Sequence, residues 1–274
     1  MEEKAPMKHV FLWTCPRSCS SAFVRSIETL SSTLVISEPF QHPYYFGPQR
    51  QHRRYESQEI KPNETYEETA RKVLNPDITG ESLIDVVFVK DMAYYFEGRF
   101  DMIEELFSTA KHSFLIRDPR KVVASQYRAS QNPEIRACGW TYFDPSAEVG
   151  FRQLHQIYEL VKQKLDPTPI VIDADDLLES PKQSMKAYCD GVGITFEDHM
   201  TSWKAGEVAQ AWENSHWIHA WCKRAINSNG FTTSSTTADS FGKADVTYPA
   251  DVMKAIEESQ PFYDKMYSAR IILG

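Results

Sequence analysis

The residues best suited to chemistry sit in one short stretch near the N-terminal end: Arg17, followed by Ser18, Cys19, Ser20 and Ser21. A guanidinium is a fixed, permanently charged fork whose N–H groups match the oxygens of phosphate or sulfate. Four small hydroxyl or thiol residues after it let the backbone approach an anion closely, and they add donors of their own. A second candidate is Arg117 with Ser125 eight positions later. Two such arginines suggest a ligand with two anionic groups.

The flanking pattern positions both. The apolar run over 10–13 is long enough for a buried strand, and Ala22, Phe23, Val24, Ile27 and Leu30 recur at helical spacing. Strand, polar turn and helix together make an anion site, because the first N–H groups of a helix lack internal partners and its dipole favours negative charge there. Arg117 closes a second apolar run over 112–117, and the helix expected from residue 120 carries Ser125. Further strands are expected over 33–36, 85–90 and 169–173. Helices are expected over 65–74, 102–111, 148–164, 181–189 and 249–267, with a capping-box pattern at Thr65 and Glu68. Residues 49–61 read as an exposed polar connection. Strands alternating with helices predict an α/β fold with a central parallel sheet and helices on both faces, where ligands collect at the C-terminal strand ends. The length suits one domain over 1–274, with 200–274 forming a helical or lid region and the Ser/Thr-rich tract over 232–240 a candidate lid.

The phosphate-loop motif GxxxxGK[ST] of nucleotide hydrolases is absent: no glycine lies between positions 9 and 46, and no lysine follows the turn. The run Pro16-Arg17-Ser18-Cys19-Ser20-Ser21 instead resembles the 5′-phosphosulfate loop of the sulfotransferases, closer to the PRSGTT and PRSGST versions than to the cytosolic PKSGTT, with Cys19 in place of the family's glycine. Arg117 and Ser125 in RDPRKVVASQYR resemble the family's arginine and serine for a 3′-phosphate. The run 173–181 is similar to its YEDLLxxP segment. The resemblance covers roughly residues 8–195. It implies a P-loop-like three-layer fold and transfer of sulfuryl from 3′-phosphoadenosine 5′-phosphosulfate (PAPS) to a hydroxyl, or less readily an amine, of a small organic acceptor. It also implies that Arg17, Ser18, Cys19, Ser20, Ser21, Arg117 and Ser125 bind the nucleotide. Lys223 and Arg224 are the nearest candidates for the family's RKGxxG loop.

For the base, the cytosolic members use a histidine after a strand, and none stands at 89–93 here. Tyrosylprotein members use a glutamate about twenty residues after the loop arginine, and Glu38 lies 21 positions after Arg17, at an expected strand end. Glu38 is the first candidate, with His42 and Asp91 as reserves. Aromatic residues of the loops, among them Tyr44, Phe46, Tyr94, Tyr95 and Trp140, are candidates for an acceptor pocket, about a third of them touching ligand. A nucleotide-kinase-like phosphotransferase, a non-catalytic nucleotide-binding protein and a tyrosylprotein sulfotransferase compete with this reading.

The net charge of −8 argues against nucleic-acid binding, which needs a basic face. Five cysteines without a CxxC pair argue against a disulfide framework or a zinc site. Residues 1–8 are polar, and no apolar run approaches the roughly 20 residues of a membrane span, so a cytoplasmic protein with no membrane partner is expected. The dimer motif KxxxTVxxxE of cytosolic sulfotransferases has no clear match, and a homodimer stays open.

Overall fold

A computed structural model describes residues 7–78, 83–207, 212, 218–231 and 247–273. The candidate lid at 232–240 lies outside the described residues. Five strands form one sheet: β1 (Lys8–Thr14), β2 (Thr33–Ser37), β3 (Val86–Met92), β4 (Lys111–Ile116) and β5 (Ile170–Asp173), in the order β2-β3-β1-β4-β5. Every pairing is parallel. In β1 the side chains of Phe11 and Trp13 enter one core, and those of Val10 and Leu12 enter the other. Burial on both faces explains why this strand reads as an unbroken apolar run.

The helices are α1 (Ser20–Ile27), α2 (Gln41–Tyr45), α3 (Tyr66–Leu74), α4 (Asp101–Phe107), α5 (Pro119–Gln131), α6 (Pro133–Ala137), α7 (Pro145–Glu148), α8 (Phe151–Lys164), α9 (Ala174–Glu179), α10 (Pro181–Val192), α11 (Ile218–Asn227) and α12 (Ala250–Ser268). Apolar side chains of α1, α9, α10 and α11 pack on one face of the sheet, and those of α3, α4, α5, α8 and α12 on the other. This is the expected three-layer α/β architecture. No helix among the described residues is long and apolar enough to cross a membrane.

Local signals set the helix starts. Thr65 accepts from the Glu68 N–H at 3.1 Å and begins α3. Asp118 accepts from the Arg120 N–H at 2.8 Å, with Pro119 in the first turn of α5.

Two expectations need correction. The helix expected over 148–164 is broken: Gly150 adopts a left-handed conformation (φ 84°) between α7 and α8. The connection over 49–61 is exposed along most of its length, as expected, but not throughout. His52 and Tyr55 are buried, and Arg54 pairs with the buried Glu148 through both carboxylate oxygens. The Arg54 guanidinium also lies between the rings of Trp140 and Tyr142, 4.1 and 4.2 Å from their centroids. A charge buried this deeply needs a partner, and the partner is supplied from about 90 residues downstream, where local pattern carries no trace of it.

Candidate active site

From β1 the chain crosses to the β2 side of the sheet, whereas from β4 it continues to the β5 side. The loops leaving these neighbouring strands therefore part, and a crevice opens beyond their C-terminal ends. A cleft of about 1080 Å³ lies there, lined by Arg17, Cys19, Ser20, Ser21, Glu38, His42, Arg117, Ser125 and Arg224 among others.

The loop after β1 is sharply turned. Arg17 has φ 66° and Cys19 φ 65°, in the left-handed region, and Cys19 is the N-cap of α1. Thr14 anchors the loop to the neighbouring strand by donating from Oγ1 to the Leu115 carbonyl at 3.0 Å. Ser18 is fully buried, and its Oγ has no hydrogen-bond partner among the described residues. A buried hydroxyl in that condition is costly unless something else engages it.

The two expected anion sites adjoin. Arg17 Nε donates to Ser125 Oγ at 3.1 Å, and Arg117 donates to the Arg17 carbonyl at 3.2 Å. A further Arg17 N–H bonds the Trp221 carbonyl of α11 at 3.0 Å. Burial lowers the Arg17 pKa from the ordinary guanidinium value. Starting so high, the group keeps its charge at neutral pH. Helix α11 closes this side of the cleft, with Ser21 Oγ 3.2 Å from Cys222 Sγ.

Glu38 follows β2 and extends its ladder: its N–H donates to the Lys90 carbonyl at 2.7 Å. Its backbone is left-handed, φ 54°. One carboxylate oxygen pairs with Lys90 Nζ, and the other accepts from the Tyr95 hydroxyl at 3.0 Å. His42 lies on the exposed rim, its Nδ1 3.5 Å from Glu64.

The structure does not bring every candidate to the cleft. Asp91 is fully buried. It accepts from the N–H groups of Phe40 (3.0 Å) and Met92 (2.8 Å), and burial pushes its pKa well above the carboxylate range. It braces the turn that carries Glu38 and does not reach the cavity. Lys223 points away, pairing with Glu134 at 3.4 Å, because successive residues on a helix diverge by about 100°. Arg224 takes the inward side. Of the loop aromatics, Phe46, Tyr94, Tyr95 and Trp140 reach the cleft, whereas Tyr44, Tyr45 and Phe96 are buried in the core. Sequence reasoning passed over Trp221 and Cys222, whose helix returns to the first loop from 200 residues away, a closure that only tertiary packing specifies.

A family model described as a sulfotransferase domain matches residues 7–269. Two curated Arabidopsis thaliana proteins, branched-chain-amino-acid aminotransferase-like proteins 1 and 2, are 27% and 25% identical to this chain over 256 and 260 residues. Those matches cover 93% and 94% of this chain but 41% of each relative, so the chain spans about two fifths of the length of these relatives. Among solved structures, the sulfotransferase domain of the Synechococcus olefin synthase aligns with TM-score 0.54 and 14% identity, covering 94% of this chain and 96% of that one. The sulfotransferase domain from the curacin biosynthetic pathway aligns at 0.52 with 16% identity, covering 94% and 99%. A sulfotransferase from Alicyclobacillus acidocaldarius aligns at 0.53 with 12% identity, covering 98% of each chain. At these identities the likeness is one of fold.

Proposed function

The chain belongs to the sulfotransferase domain family, and from that premise we propose that its cleft moves the sulfuryl group of PAPS to a hydroxyl, or less readily an amine, of a small organic acceptor. The observation that carries the reading is that Arg17 and Arg117, from two strand ends, line one cleft with Ser125, Arg17 donating to the Ser125 hydroxyl and Arg117 to the Arg17 carbonyl. Two fixed cations with small hydroxyls between them match a ligand that is anionic at both its 5′ and 3′ ends. Ser20 and Ser21 add hydroxyls to the cleft wall, and the start of α1 adds outward N–H groups, whereas Ser18 is buried beneath the loop and does not line the cleft.

When bound, PAPS supplies an activated sulfuryl group and a phosphate leaving group. The chain's own part is electrostatic and geometric. Arg17 holds the 5′ end and stabilises the charge that builds on the departing phosphate oxygen, an interaction stronger in the transition state than in the ground state. Arg117 and Ser125 fix the 3′-phosphate and so the line of attack. Glu38 faces the same cleft and takes the proton from the acceptor. The walls formed by Phe46, Tyr94, Tyr95 and Trp140 give the acceptor an apolar seat.

The test is calorimetric titration with adenosine 3′,5′-bisphosphate, adenosine 5′-monophosphate and ATP, for the wild type and Arg117→Ala. Micromolar binding that needs both phosphates and falls at least 100-fold in the variant, on the order expected for a buried charge-assisted contact, is the expected result. Equal or better binding of ATP would instead favour a phosphotransferase.

A further inference from the structure

Among the described residues, three that are not glycine have a left-handed backbone: Arg17, Cys19 and Glu38. All three line the cleft. Such a conformation costs on the order of 1–2 kcal/mol for an ordinary residue and persists only where its surroundings hold it. For Glu38 the surroundings are explicit. Its N–H completes the β3 ladder, and its carbonyl accepts from the Gln41 N–H at 3.2 Å.

The carboxylate is held as firmly as the backbone. Lys90, within β3 and almost fully buried, takes one oxygen. Tyr95 donates to the other at 3.0 Å. Tyr95 is itself immobilised. Its carbonyl accepts from the Tyr66 hydroxyl, and its ring packs against those of Tyr44 and Tyr94, 5.1 and 4.6 Å between centroids. Burial drives its phenol pKa well above the ordinary value, so it stays a donor.

We infer that Tyr95 is a positioning residue for Glu38: its hydroxyl pins the second carboxylate oxygen, so that Glu38 presents its remaining lone pairs to the acceptor in one orientation. The inference rests on the reading of Glu38 as the base. Lys90 alone fixes one oxygen and leaves the carboxylate free to rotate about that contact; a second donor on the other oxygen removes the rotation.

A double-mutant cycle tests it. The readout is release of adenosine 3′,5′-bisphosphate from PAPS with phenol present, which counts transfer to phenol and to water alike. Tyr95→Phe keeps the ring and should lower kcat about 10-fold, the scale of one hydrogen bond to a charged group, with the KM for PAPS unchanged. In a Glu38→Gln background the same substitution should cost less than about two-fold, because Tyr95 acts through the carboxylate. Glu38→Asp, which withdraws the carboxylate by one methylene without touching the tyrosine, should show a similar loss in kcat at unchanged KM. An equal loss from Tyr95→Phe in both backgrounds, or no loss in the native one, would overturn the inference and leave the function standing. Full activity in Glu38→Gln would remove the base and the inference together. Failure of the wild type to bind adenosine 3′,5′-bisphosphate, or to release it from PAPS, would overturn the sulfotransferase reading itself.

Discussion

Cys19 shows at the scale of one residue how far a motif carries. The resemblance places a glycine there, and the structure gives the physical reason: the chain turns through φ 65°, ψ 12° to start α1, a region where a side chain is strained. A cysteine tolerates this because it is small and unbranched, and because its side chain packs against the core beneath the sheet. Two effects then oppose each other in Cys19→Gly. Relief of strain is worth about 1–2 kcal/mol, and the lost packing together with the looser unfolded chain costs about the same. The expected result is stability within about 1 kcal/mol of the wild type, with nucleotide binding kept. Cys19→Val adds a branched Cβ in a conformation that branched residues avoid, and should cost about 2 kcal/mol. Urea denaturation of the two variants checks this; a valine variant as stable as the parent would show that the turn is not strained.

At the scale of elements, the five strands and most helix starts were legible because each has a local cause. Apolar runs mark the strands, the inner ones buried on both faces, and Thr65, Asp118 and Pro181 mark helix starts. Contacts between distant segments were not legible. The Arg54–Glu148 pair and the return of α11 to the loop after β1 depend on residues 94 and about 200 positions apart. The pocket candidates divided accordingly: Arg17, Arg117 and Glu38 stand just beyond strand ends and meet Ser125 of α5 in the cleft, whereas Asp91 and Lys223 were one residue out of phase. Asp173 joins two elements in a way that can be measured. It caps α9, accepting from the Asp175 and Asp176 N–H groups at 2.8 and 3.4 Å, and it accepts from the Tyr263 hydroxyl of α12 at 3.0 Å. Burial raises its pKa from 3.8 to about 6. The folded state thus binds the proton more tightly than the unfolded one, so this group's contribution to stability is complete below pH 3.8 and is lost as pH rises through 6. Asp173→Asn keeps an oxygen for the cap and removes the charge. It should be more stable than the wild type at pH 7.5, by on the order of 2 kcal/mol, and the gain should vanish near pH 4. A gain that does not depend on pH would place its cause elsewhere than in the buried charge.

At the scale of the whole molecule, the counterpart of Asp173 lies at the centre of the sheet. His112 in β4 is almost fully buried, and its bonds select one tautomer. Nδ1 accepts from the Trp13 indole N–H of β1 at 3.1 Å, which leaves the proton on Nε2 to be donated to the Phe107 carbonyl at 3.0 Å. Protonating Nδ1 would break the bond that joins two central strands. Burial lowers the His112 pKa from 6.5 to about 4. Here the unfolded state holds the proton more tightly, so stability present above pH 6.5 is lost as pH falls toward 4. The size is on the order of 3 kcal/mol, close to that of Asp173 and opposite in sign over nearly the same pH window. The two buried groups therefore compensate each other, and each single substitution uncovers the other. His112→Gln should be less stable than the wild type at pH 7.5 and should lose less on acidification to pH 4.5, whereas Asp173→Asn should lose more. Unfolding free energies for the wild type and both variants at pH 7.5, 6 and 4.5 separate these slopes. Parallel slopes for the wild type and His112→Gln would mean that the ring takes up no proton on unfolding, and would remove the sheet centre from the pH response of the fold.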